Sequence, residues 1–200
     1  MATTTKMAIP YPASTDLVKD GATNMQSLAT QVDAKSGLVL LNTTSFTTVA
    51  SQTMSSVFSS NFDNYLVVTD LTAVSTTLQV LYRLVDSGGT PNSTSNYYSA
   101  DAESNVSAVT NRYSGAGSSW NFSQGTITVG GVFYMNVNQP FASTTTRGTH
   151  QLFTGGATAT EWRGGSGSMV HNVASSYTGI QILTSTGTIS GKVSVYGYNL

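Results

Sequence analysis

At Gly37 the period of the sequence changes from helical to pleated. Beyond it, apolar residues recur at every second position. Leu78, Val80, Tyr82 and Leu84 alternate with Gln79, Leu81 and Arg83, the spacing of a pleated strand with one face buried. Asn64–Thr69 is a short apolar run suited to a covered strand. Ile189, Val193 and Val195 oppose Ser190, Lys192 and Ser194 near the end. Other strand candidates are 45–50, 54–58, 97–101, 106–112, 119–122, 126–129, 132–138, 150–154, 157–162 and 179–184. Asp86-Ser87-Gly88-Gly89 is a turn, and Thr186-Gly187 is expected to close a hairpin between the last two strands. Gly164-Gly165-Ser166-Gly167-Ser168 reads as a flexible loop. About ten short strands at this spacing predict an all-β fold, an antiparallel sandwich or jelly roll. No fixed-period repeat points to a propeller or β-helix.

Composition agrees. The chain has 31 Thr and 28 Ser but only 8% charged residues, which suits a pleated surface and not a helical bundle. Eight Lys and Arg against nine acids give a net charge of −1. That excludes nucleic acid as an expected partner, because no basic run exists to neutralise phosphates. No run of 18 apolar residues predicts a membrane span. Cysteine is absent, which removes disulfides and thiolate metal sites. The opening Met1-Ala2-Thr3-Thr4-Thr5-Lys6 has no apolar core of the signal-peptide type, so synthesis in a cytoplasm is expected.

Residues 1–36 form a distinct segment ahead of a β domain at 37–200. Ile9-Pro10-Tyr11-Pro12 is expected to be extended. The one helical pattern follows: Val18, Ala22, Met25, Ala29 and Val32 are spaced 4, 3, 4, 3, an a/d alternation. Gly21 argues for a start at Asp20, and Gly37 stands where a terminating glycine belongs. A helix of about 14 residues is marginal alone. Either it lies on its own domain, or the five residues form the seam of a short oligomeric bundle.

Chemistry-bearing residues are sparse. Asp101 and Glu103 would share a face if they lay on a strand, about 6–7 Å apart by the strand rise, but Ala102 and Ser104 suggest a polar loop. Glu161, Trp162 and Arg163 could form a sugar-binding trio or a surface ion pair beside a packed indole. His150 and His171 lack partners at metal-ligand spacing. No nucleophile elbow with a supporting acid and histidine is present, and no phosphate loop. No catalytic residue, metal or cofactor is therefore expected. Tyr97, Tyr98, Tyr113, Trp120, Phe122 and Trp162 lie near Gly/Ser/Asn-rich segments, with Tyr97, Tyr98, Trp120 and Trp162 the candidate glycan contacts. They either stack on glycans or cap the core. Only five Lys and Arg follow Gly37, so the strand edges are poorly defended and symmetric neighbours are expected to cover them.

Four stretches carry a resemblance. Pro12-Ala13-Ser14-Thr15-Asp16-Leu17-Val18-Lys19-Asp20-Gly21-Ala22, and the closing Ser185-Thr186-Gly187-Thr188-Ile189-Ser190-Gly191-Lys192-Val193-Ser194-Val195-Tyr196-Gly197-Tyr198, resemble segments of tailed-bacteriophage fibre and minor tail proteins. Phe62-Asp63-Asn64-Tyr65 and Asn92-Ser93-Thr94-Ser95-Asn96-Tyr97-Tyr98 are similar to the same group. The resemblance implies a non-enzymatic virion protein: a homotrimer docked on other virion proteins by its N-terminal arm, displaying a β-sandwich for host attachment. Capsid decoration, as a cement or head-fibre protein, is the alternative it leaves open. A glycan-binding lectin module is a further one.

Overall fold

The computed structural model describes residues 2–3, 10–11, 20–35, 37–105, 108–122, 127–155 and 162–198. The chain divides into two compact units, Met1–Val39 with Tyr198–Leu200, and Leu40–Gly197.

In the first unit, β1 (Ala2–Thr3) pairs antiparallel with β2 (Pro10–Tyr11), and α1 spans Gly21–Lys35. The helix starts directly after Asp20, where the cost of Gly21 inside a helix is smallest. Its covered side carries Asn24, Leu28 and Gln31, with Asn24 only 6% exposed. Ala22, Met25, Ala29 and Val32 lie on the exposed side. An amphipathic helix covering its own domain would show the reverse.

Twelve further strands form an all-β sandwich. The large sheet runs β3 (Leu38–Val49), β14 (Ile189–Tyr198), β5 (Asn64–Val74), β10 (Gly131–Asn138), β11 (Thr145–Thr154), β12 (Arg163–Ala174), β7 (Tyr97–Asn105), β8 (Val109–Gly117). The small sheet runs β4 (Ser51–Met54), β13 (Gly179–Thr184), β6 (Val80–Val85), β9 (Trp120–Asn121). The core lies between them. From β5 come Tyr65, Val67 and Leu71, from β10 Phe133, Met135 and Val137. They meet Val80, Tyr82 and Leu84 of β6 and Ile180 and Ile182 of β13. The two-residue alternation puts one side of each strand inward, and burial of that side drives the sheets together.

Polar tips of core aromatics tie strands, and one loop, together. The Tyr97 hydroxyl donates to Asn92 O at 3.0 Å and accepts from Leu84 N at 3.0 Å. Trp120 Nε1 donates to Val170 O at 3.0 Å, tying β9 of one sheet to β12 of the other. Tyr82 donates to Thr69 Oγ1 at 2.9 Å across the core. Each bond satisfies a buried group that would otherwise be costly.

Several sequence expectations are corrected. Gly164–Ser168 is not a loop: it lies in the first half of β12, paired with β11 on one edge and β7 on the other. Asp101 and Glu103 are likewise on a strand, β7, with both side chains facing inward. Thr186-Gly187 does not close a hairpin, because β13 and β14 belong to different sheets. The turn, with Gly187 at φ +65°, passes the chain from one sheet to the other. Residues 54–58 are not a strand beyond Met54, where Ser56 takes φ +57°. Of 126–129, Ile127 makes a single bridge with Leu78, and residue 126 lies outside the described residues. So do 106–107 and 157–161, which include Glu161.

Candidate functional site

Three places hold the residues singled out from the sequence. The first is α1. Met25 is 70% exposed and Val32 47%, and Ala22 and Ala29 lie on the same exposed side. Val18 is outside the described residues. The apolar seam is thus open in the single chain.

The second place is the set of four aromatics, which the fold separates. Tyr97 and Trp120 have no exposed area, and their rings meet edge to face at 5.2 Å between centroids. As glycan contacts they are overturned: a ring enclosed by core atoms has no face for a sugar. Tyr98 follows Tyr97 on β7 and so points to the opposite, outer face of the large sheet. Trp162 stands one residue before β12 and is 64% exposed. Tyr113, which the sequence places in the same aromatic group, is exposed on that outer face, and the structure adds Tyr134 and Phe153, also exposed there, which sequence reading passed over. Alternation along β8, β10 and β11 would have put each ring on the polar side of its strand.

The third place is a buried polar cluster on the inner face of β11, β12, β7 and β8. His150, Gly167, Asp101 and Arg112 lie side by side on these four strands, one register row. Gly167 has no side chain, so His150 and Asp101 meet over it, with Nε2 to Oδ1 at 3.5 Å. A Cβ on Gly167 would come within 2.5 Å of His150 Cε1 and collide with the Ala100 carbonyl oxygen. Phe122 stacks on His150 at 4.2 Å and 9°. Burial pushes the Asp101 carboxyl up to about 6, and the Glu103 charge adds to the rise. Burial also lowers His150 to about 4. Between those values the carboxyl holds the proton and the imidazole is neutral. In the next row Glu103 pairs with Arg112 at 3.2 Å and Arg163 at 3.5 Å.

This cluster has the residue types of acid–base chemistry without access for a substrate. The Asp101 and His150 side chains are 1% and 0% exposed. A general acid must come within hydrogen-bond reach of the group it serves. His171, also buried, faces the Tyr177 hydroxyl at 3.3 Å. Among the described residues no three His, Asp or Glu side chains converge as a metal site. No described helix is long and apolar enough to cross a membrane.

Compared with known proteins, the chain matches no family description, no curated protein and no solved structure.

Proposed function

We propose that this protein is a non-enzymatic structural component of a bacteriophage virion, assembling as a homotrimer through α1 and displaying the β-sandwich for host attachment. The observation that carries the assembly half is the reversed burial of α1: Asn24 is covered while Met25 and Val32 are open. Seam residues at a/d spacing that stay exposed on their helix gain burial from copies of themselves. The phage assignment rests on the resemblance of the N-terminal and closing stretches to fibre and minor tail proteins. The burial of Asp101 and His150 supports the absence of catalysis.

Light scattering on a sizing column tests the assembly. The full chain is expected at three times the chain mass. Met25→Asp with Val32→Asp is expected to give the monomer, since buried carboxylates without partners are costly. A doubly substituted chain that stays trimeric refutes the seam. Antibody labelling of intact particles tests the display. Label on tail tips supports host attachment, whereas label spread over the head transfers the chain to capsid decoration.

A further inference from the structure

The outer face of the large sheet has a shape that its assembly role does not require. Between Tyr98 and Val170 at one end and Ser104 and Gly164 at the other, the outward positions on β7 and β12 include Ala100 and Ala102, and Ser166 and Ser168. These small residues make a low floor. On the β11 side stand Phe153 and Gln151, with Arg147 further along, and on the β8 side Val109, Asn111 and Tyr113. Two open depressions lie along this floor. One, of about 340 Å³, is lined by Tyr98, Ala100, Tyr113, Arg147 and Ser168. The other, of about 450 Å³, is lined by Ala102, Ser104, Val109, Gln151 and Phe153. From Tyr98 to Ser104 the trough runs roughly 20 Å by the strand rise.

Two rings are set along its walls by glycines. The outer end of the Tyr113 ring lies over Gly115, where a Cβ would come within 2.8 Å of Tyr113 Oη. The ring is 71% exposed, so it rests on backbone with area left for a ligand. Phe153 leans over Gly164, 3.8 Å from where a Cβ would stand, and is 55% exposed. The outward polar groups without charge include the hydroxyls and amides of Thr149, Ser166, Ser168, Gln151 and Asn111. Arg147 is the only charge among the outward positions of β11, β12, β7 and β8, and no described carboxylate pairs with it.

We propose that this trough binds an acidic polysaccharide, with Tyr113 and Phe153 stacking on sugar faces and Arg147 pairing with a sugar carboxylate. A peptide is the poorer occupant. β11, β12 and β7 are paired on both edges, so the floor offers no free main-chain donors or acceptors for strand addition. Sugar rings need what is here: flat apolar faces, hydroxyl and amide partners, and a cation for the acid. The inference deepens the display half of the reading above and is independent of the trimer.

The test is calorimetric titration of the full chain with three acidic probes: oligogalacturonate, oligosialic acid and a hyaluronan fragment. Maltotetraose is the neutral control. At least one acidic probe is expected to bind at least about tenfold more tightly than maltotetraose, and more weakly as salt rises. Arg147→Gln and Tyr113→Ala should each weaken that binding about tenfold while leaving the melting temperature and the light-scattering mass in place. Ser168→Phe, which fills the floor, should abolish it. The proposal is overturned if no acidic probe binds, if maltotetraose binds as tightly, or if binding survives both Arg147→Gln and Ser168→Phe. A lost trimer with retained binding would count against the assembly reading alone.

Discussion

The two faces of β12 place small residues for opposite reasons. Inward, Gly165 and Gly167 are small because their neighbours occupy the space: Glu103 crowds the first, and the Asp101–His150 contact passes over the second. Outward, Gly164, Ser166 and Ser168 leave open floor, with the Phe153 ring and the Leu152 carbonyl oxygen near Gly164 only at ordinary contact distance. One strand therefore carries a filled row of absences and an empty one. The filled row fixes a buried polar cluster; the empty row leaves a place for something else. A small residue in a strand has no single meaning until what stands beside it is known.

The sharpest way to break this contrast is at Gly167. Gly167→Ala puts a methyl group against the Ala100 carbonyl oxygen and against His150 Cε1. A backbone carbonyl in a paired strand cannot move without its ladder. The expected loss is about 3 kcal/mol or more, the upper range for overpacking, read from chemical denaturation. If Gly167→Ala unfolds at the same denaturant concentration as the parent, the inner row is no more tightly filled than the outer.

A smaller effect, of opposite sign, is expected at Asp101. Its folded carboxyl is pushed up to about 6 from an ordinary 3.8. The folded state therefore holds the proton more strongly than the unfolded one. That contribution is fully present below about pH 4 and is lost as pH rises through 6. Above pH 7 the ionised carboxylate is buried with His150, itself neutral, as its near neighbour. Asp101→Asn keeps the shape and removes the charge. At pH 8 it should stabilise the fold by about 1–3 kcal/mol, and at pH 4 the gain should vanish. Melting curves at the two pH values check the sign. Destabilisation at pH 8 would mean that the charge itself holds the cluster together.

These two positions also show what could be read in the sequence. β6, β10, β13 and β14 were legible because each carries apolar residues at every second position, and β5 because residues 65–68 are an unbroken apolar run; both patterns are local. β12 was not, because its glycines answer to His150, Asp101 and Glu103, side chains from β11 and β7 that sequence distance hides. Alternation alone requires Tyr97 and Tyr98 to point oppositely. Which of them enters the core depends on the register with β12 and on Trp120, more than twenty residues away. Asp101 and Glu103 share a face, as the strand rise requires. Their burial became intelligible only with Arg112, Arg163 and His150 in place. On α1 the seam spacing was legible, while the burial of Asn24 opposite it was not.

The smallest effect is expected on the outer row, and it completes the comparison with Gly167. A Cβ on Gly164 would find only the Phe153 ring at 3.8 Å and the Leu152 carbonyl oxygen at 3.9 Å, both ordinary contacts. Gly164→Ala should therefore change stability by no more than about 0.5 kcal/mol. A slight gain is the favoured sign, because alanine loses less backbone freedom on folding than glycine. The same methyl group raises the floor beneath Phe153. Its mark should appear in acidic-sugar affinity at the Phe153 end of the trough before it appears in stability. A chain that loses as much stability from Gly164→Ala as from Gly167→Ala would place both glycines in service of packing, and the outer row would lose its claim to be open for a ligand.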